Sequence, residues 1–149
     1  MKFLIQVVKK AKVDVDDITI GSIGRGLLVF VGVCDDDTRD TADKMIKKCV
    51  NLRIFEDENG KTNLSVNDIE GSMLVISQFT LYADCRKGNR PSFIKAGDPE
   101  HANELYEYIL SELKNTYGIK TESGSFGADM QVSSVNDGPV TIILDSSEI

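Results

Sequence analysis

The stretch FLIQVV, Phe3–Val8, followed by KVDVDDITI, Lys12–Ile20, and GLLVFVGV, Gly26–Val33, decides the fold class, because three strand-like segments follow one another with no helix between them. Phe3–Val8 and Leu27–Val33 are short apolar runs rich in Val, Ile and Phe and bounded by Lys, Gly and Asp, the composition of a strand. Lys12–Ile20 alternates apolar and polar residues, which suits a half-buried strand or a hairpin. The intervening GSIGRG, Gly21–Gly26, has the order GxxGxG and precedes a strand. It is therefore no dinucleotide fingerprint and reads as a glycine-rich hairpin turn.

Outward from this block the periodicity changes. Ala42, Met45, Ile46, Cys49 and Val50 fall on one helical face, with Asp37 as the expected N-cap. Asp35, Asp36 and Asp37 together read as capping charges at the positive end of that helix. Leu52–Phe55 is a short apolar run before the turn signal DENG, and Ser72–Ala83 is the next strand. A loop over Asp84–Gly97 leads to Asp98-Pro99, an N-cap with a first-turn proline. The helix it opens carries Ala102, Leu105, Tyr106, Ile109 and Leu113 on one face and ends near Tyr117-Gly118. Ile119–Glu122, Met130–Val135 and Val140–Leu144 read as three closing strands. Runs of strands with only two helices predict an α+β fold, a single compact domain over residues 1–149 with antiparallel or mixed sheets.

Composition narrows function. A chain of 149 residues is the size of one domain. No run approaches the ~20 apolar residues of a membrane span, and no signal-peptide layout opens the chain, so a soluble, cytoplasmic protein is expected. Cys34, Cys49 and Cys85 are odd in number and lack CxxC spacing, which points to neither disulfides nor a zinc knuckle. The net charge of -7 disfavours broad contact with a nucleic-acid backbone. Any such partner must be held locally, and the basic residues Arg86, Lys87, Arg90 and Lys95 gather in one loop. His101 is the only histidine and no GxSxG elbow is present, so neither a Ser-His-Asp site nor a multi-histidine metal site is expected. No cofactor is called for. NGKT, Asn59–Thr62, lacks the earlier glycine of a phosphate loop, since Phe55 stands there.

Two segments remain. In SQFTL, Ser77–Leu81, the residues Ser77, Gln78 and Thr80 stand where the apolar strand MLVI emerges from the core. The amides of Phe79 and Thr80 at that strand end are candidate oxyanion donors, although hydroxyl residues at strand ends more often serve as caps. NDGPVT, Asn136–Thr141, lies between two strands, and on local statistics Gly138-Pro139 is a hairpin turn; only about 5–6% of X-Pro bonds are cis in folded proteins.

SQFTL and NDGPVT, with RPSF at Arg90–Phe93 and GADMQV at Gly127–Val132 between them, resemble the D-aminoacyl-tRNA deacylase family in sequence and in order. The likeness extends to the amino-terminal strand with Gln6, GLLVFVGV, LRIF and GKTNLSV, and so covers essentially the whole chain. Val7 departs from the family pattern where an arginine often follows the glutamine, Thr62 where methionine usually follows GK, and Ser134 where an apolar residue is usual.

The resemblance implies a barrel-like α+β domain, a homodimer, and hydrolysis of the ester that joins a D-amino acid to the 3′ CCA end of tRNA. It also implies that glycyl-tRNA mischarged on tRNA-Ala is accepted, since selection works by excluding L side chains. Carried onto this chain, the Gly-cisPro motif is Gly138-Pro139, inserted into the partner's pocket so that its carbonyls capture the substrate ammonium. Asn136, Thr141 and Met130 join it in substrate binding and chiral selection. Ser77, Gln78, Phe79 and Thr80 form the catalytic segment, with the substrate 2′-hydroxyl aiding proton transfer. Arg86, Lys87, Arg90 and Lys95 are the tRNA-binding candidates. Two alternatives stand beside this: an editing deacylase for L-aminoacyl-tRNA with a trans Gly-Pro bond, and a non-catalytic RNA-binding module.

Overall fold

Asp16 and Asp17 both take positive φ, 49° and 62°, and so make the two-residue turn whose twist matches a hairpin. The computed structural model, which describes residues 1–149, places this turn between β1 (Lys2–Val15) and β2 (Ile18–Ile23). The return strand then continues as β3 (Gly26–Gly32). Ala11 lies opposite Ile23 and Val8 opposite Gly26, so the register runs on unbroken past Gly24-Arg25. GSIGRG is thus a bend inside a returning strand, not the expected hairpin turn.

Close approach of neighbouring strands explains two of its glycines. A Cβ on Gly26 would stand 1.8 Å from the Ser72 carbonyl oxygen, and one on Gly21 would stand 2.8 Å from that of Ser123. Any side chain there would push apart strands that the fold requires in contact.

The remaining elements are α1 (Arg39–Val50), a small ribbon of β4 (Phe55–Glu56) and β5 (Thr62–Leu64), β6 (Ser72–Ser77), a 3-10 helix (Phe79–Tyr82), α2 (Pro99–Asn115), β7 (Lys120–Ser123) and β8 (Gln131–Asp145). β6 runs parallel to β3, and β7 parallel to β6, so each helix lies in a crossover between parallel neighbours. β8 pairs antiparallel with the other edge of β1. The sheet is mixed, and the contact of Gly21 with Ser123 curls it until β2 meets β7, nearly closing a barrel.

Both faces of the central strands are buried, which is why LLVFV and MLVI are continuous apolar runs. Ile5, Val29, Val31, Met73 and Val75 meet the stripes of α1 and α2, including Met45, Ile46, Tyr106 and Ile109. Val8, Val13, Leu28, Leu74 and Ile76 fill the inside of the curl. The alternation of 27, 29 and 31 with 28 is the two-residue period of a strand sorted between two cores.

Helix starts depart from expectation in one place. The N-cap of α1 is Thr38, which shares a capping box with Thr41. Asp37 is instead buried, accepting from the Cys34 amide at 2.8 Å and the Met1 amino group at 2.6 Å. Asp35 accepts from the Asp98 amide at 2.7 Å and so ties the start of α1 to that of α2. Asp98 caps α2 as expected, with Pro99 in the first turn, and Gly118 follows the helix at φ +64°. Two further expectations are corrected. The strand expected over Ser72–Ala83 ends at Ser77, because Gln78 turns the chain into the 3-10 helix. Met130–Val135 and Val140–Leu144 belong to one strand, β8, both halves pairing with β1. No helix is long and apolar enough to cross a membrane.

Candidate active site

β6 delivers Ser77 to the sheet end, opposite Val31, and the Gln78 amide makes a last bond to the Val31 carbonyl at 2.7 Å. Gln78, at φ −147° and ψ 82°, then redirects the chain into the 3-10 helix. The Leu81 amide closes back on the Gln78 carbonyl at 3.3 Å, and the Ala83 amide on Thr80 at 3.0 Å. Phe79 and Thr80 open this helix, so their amides have no acceptor within it, and neither donates in a turn, loop or cap. The Phe79 and Thr80 amides thus stand at a helix start and not at the strand end that the sequence suggested. The Gln78 side-chain amide donates to the Thr80 hydroxyl. Gly32 makes room for the turn: a Cβ there would lie 3.0 Å from that of Leu81 and 3.2 Å from the Gln78 carbonyl oxygen.

A cavity of about 560 Å³ opens beside this turn. Val31 and Ser77 line it from the sheet, Gln78 and Phe79 from the start of the 3-10 helix, Phe93 and Gly97 from the loop, Ala102 and Tyr106 from α2, and Phe126, Gly127, Met130 and Val132 from the approach to β8 and its start. The lining is mostly apolar with a few polar groups, the usual character of a small-ligand site. Phe79, 57% exposed, meets Phe93 edge to face at 5.1 Å between ring centres and forms an aromatic rim. Deeper in, Tyr106 donates its hydroxyl to the Val75 carbonyl at 2.8 Å, and burial pushes its phenol up to about 12. It is a neutral donor that braces β6. A Cβ on Gly124 would meet the Met130 sulfur at 2.4 Å, so that glycine lets Met130 fold against it.

No base stands ready for the hydroxyls. His101 is engaged elsewhere, its Nε2 lying 3.0 Å from the Asp37 carbonyl oxygen. No three His, Cys, Asp or Glu side chains gather as a metal site.

The basic loop is closed by paired backbone bonds between Asp84 and Ser92, at 2.8 and 3.0 Å. Arg86 pairs with Asp84, and Lys95 stands 3.7 Å from the same carboxylate, which these cations hold well below the usual carboxylate range. Lys87 and Arg90 are exposed and carry no such partner.

NDGPVT occupies a different position. Thr141 lies opposite Gln6 and Asn136 opposite Val8, so Asp137 to Val140 stand against Val7 alone and leave the sheet as an outpouching of β8. The Gly138-Pro139 bond is cis. Gly138 sits at φ +130°, and a Cβ there would meet the Val140 Cγ2 at 2.8 Å. Both residues are exposed, and neither lines the cavity of its own chain. Asn136 accepts from the Val140 amide at 3.1 Å and donates to the Thr141 hydroxyl at 2.9 Å.

Of the residues expected in the site, Ser77, Gln78, Phe79 and Met130 line the cavity. Thr80 sits beside it on the 3-10 helix, while half-buried Asn136 and exposed Gly138, Pro139 and Thr141 form a separate group. Tyr106, Ala102 and Phe126 were not expected. The first two were legible only as members of the α2 core stripe, and Phe126 had no pattern to mark it.

The family profile described as D-Tyr-tRNA(Tyr) deacylase matches residues 4–145. Proteins named D-aminoacyl-tRNA deacylase are similar over the full length: that of Thermosipho africanus is 54% identical, covering 100% of this chain and 99% of its own. That of Clostridioides difficile is 55% identical and covers 99% of each. Among solved structures, one named c-Myc DNA Unwinding Element Binding Protein is 44% identical with a TM-score of 0.92, covering 97% of this chain and 98% of its own. Another, described as a probable eukaryotic D-amino acid tRNA deacylase, shares the fold at a TM-score of 0.86 and 16% identity, with 96% and 97% covered.

Proposed function

The chain belongs to the D-Tyr-tRNA(Tyr) deacylase family, and on that premise we propose that it hydrolyses the ester of D-aminoacyl-tRNA to free D-amino acid and tRNA. The observation that carries this reading is the pair of unpaired amides, Phe79 and Thr80, opening the 3-10 helix beside an apolar cavity with no histidine or metal-ligand cluster in reach. Such a site suits an ester that is already activated. Water adds to the carbonyl carbon, the two amides receive the charge on its oxygen, and the ribose oxygen leaves with a proton. One such donor is typically worth about 2.7–4 kcal/mol. With no protein base at Ser77 or Thr80, the adjacent 2′-hydroxyl of the substrate serves the proton transfer.

Chirality is assigned to Gly138-Pro139 acting in the cavity of a second copy. Its exposure, its absence from its own chain's cavity and its place on β8 support that assignment. β8 is a 15-residue edge strand with Val135 and Ile143 exposed, at 43% and 67%, a surface that another chain would cover. With the ammonium held by the Gly138 and Pro139 carbonyls, an L side chain is driven into the backbone and a D side chain points outward. Glycine, lacking a side chain, is accepted, which extends the activity to glycyl-tRNA mischarged on tRNA-Ala. Met130 borders the bound amino acid. The CCA end alone enters, past the Phe79–Phe93 rim, with Arg86, Lys87, Arg90 and Lys95 steering phosphates; this reconciles tRNA binding with a net charge of -7. The reading places the protein in the cytoplasm, with its tRNA substrates.

Matched D- and L-aminoacyl-tRNAs test it. Release from D alone is expected; release from L alone would mark an editing enzyme of opposite chirality. Release from neither would leave a nucleic-acid-binding module, the reading nearest to the DNA-binding name of the 44% identical structure. A terminal 2′-deoxy substrate should not be hydrolysed, and turnover of it would remove the substrate-assisted step.

A further inference from the structure

The outpouching of β8 is held by side chains where the sheet lets it go, and we infer that Gln6, Asn136 and Thr141 form a clamp that positions Gly138-Pro139 for chiral discrimination. The inference rests on the role proposed above for Gly138-Pro139.

Between the pairs Gln6–Thr141 and Val8–Asn136, four residues of β8 face one of β1 and have no ladder to fix them. A filter that tells mirror-image substrates apart must be held to a fraction of an ångström, so another source of order is needed. Asn136 supplies it. The Val140 amide is obligatorily a donor, so the Asn136 oxygen faces it, at 3.1 Å. That choice turns the Asn136 nitrogen toward the Thr141 hydroxyl oxygen, at 2.9 Å. From the neighbouring strand, the Gln6 side-chain nitrogen reaches the same oxygen at 3.3 Å.

Thr141 Oγ1 thus accepts two N–H groups, joining the two feet of the outpouching to each other and to β1. Val140 completes the anchorage, its side chain packing against the helix-side core. The neighbouring Lys9–Asp137 pair is exposed at 3.9 Å and adds little. Gln6, Asn136 and Thr141 are positioning residues: they act through Gly138-Pro139 and need not touch the substrate. Because all three are exposed or half-exposed, water can satisfy their groups when one of them is replaced, so global stability should barely register the change.

Thr141→Val keeps the branched shape and removes the acceptor. Asn136→Ala removes both the acceptor for the Val140 amide and the donor to the Thr141 hydroxyl. Thr141→Ser restores the hydroxyl. Rates on D- and L-aminoacyl-tRNA, thermal midpoint and hydrogen exchange at the Val140 amide are measured for each. Thr141→Val and Asn136→Ala should lower the D-to-L ratio roughly ten-fold with little change in midpoint and with faster exchange at Val140, most of all in Asn136→Ala. Thr141→Ser should recover most of the ratio. A D-selective wild type whose ratio survives Thr141→Val and Asn136→Ala overturns the clamp and leaves the proposed function standing. A wild type indifferent to chirality overturns both.

Discussion

Ser77–Leu81 leaves the sheet from a strand buried on both faces, while Asn136–Thr141 leaves it from an edge strand whose outward side meets solvent. In the function proposed above each presents backbone groups for chemistry, but they are made rigid in opposite ways. β6 borrows order from two apolar cores and from Tyr106 beneath it, so the Phe79 and Thr80 amides are as fixed as the fold itself. The β8 outpouching has little beneath it except Val140, and relies on short polar contacts among Gln6, Asn136 and Thr141. A change under the first device should therefore cost stability and activity together, and a change in the second should cost function far more than stability.

The largest expected effect is at Gly26→Ala. Its Cβ would lie 1.8 Å from the Ser72 carbonyl, so β3 and β6 must separate. Loss of more than about 3 kcal/mol, or of folded protein altogether, is expected by thermal unfolding; a midpoint within a few degrees of wild type breaks the claim that close packing fixes β6. Gly138→Ala comes next. Its φ of +130° and the 2.8 Å contact with Val140 impose a local strain of about 1–3 kcal/mol. D-substrate turnover should fall by roughly ten- to a hundred-fold as the outpouching shifts to relieve that strain, with a midpoint drop of a few degrees, well short of that for Gly26→Ala. An equal loss of midpoint at Gly138 and Gly26 would erase the distinction between the two devices.

Tyr106→Phe sharpens the comparison from the buried side and should cost about 1 kcal/mol of stability. Burial raises this phenol from its ordinary 10 to about 12, so between those values the folded state holds a proton that the unfolded chain releases. Stability from this group is complete below pH 10 and is lost as pH rises toward 12. The variant should lack that part of the alkaline decline, and identical alkaline profiles would show that Tyr106 is not the group responsible. The smallest effect belongs to Lys87→Ala with Arg90→Ala. It should appear in KM and flatten the dependence of KM on salt by a slope of about 0.7 for each phosphate interaction removed; an unaltered slope would remove these two from the tRNA path.

Much of the architecture was legible along the chain. The stripes of both helices, the Asp98-Pro99 start of α2 and the apolar runs of β1, β3 and β6 follow from local periodicity, and the structure buries those residues. The corrections share one cause, which is that a local pattern does not name its partner. Gly21–Gly26 looks like a turn because glycines mark turns, yet two of them make room for Ser123 and Ser72, distant in sequence. Asp37 looks like a cap because it precedes a helix, but Thr38 is one residue better placed and Asp37 is recruited by Cys34 and Met1. Gly138-Pro139 looks like a hairpin turn, but both flanks pair with β1 in the same direction.

Residue order alone specifies the segments and which of their faces are apolar and, through motifs in a family order, the deacylase family to which the chain belongs. Folding in three dimensions is what leaves the Phe79 and Thr80 amides free, gathers Tyr106 and Phe126 around one cavity, and stands Gly138-Pro139 outside that cavity on an open edge. Propensity and periodicity act over a few residues, whereas a free amide or an uncovered edge is defined by what distant strands leave unpaired.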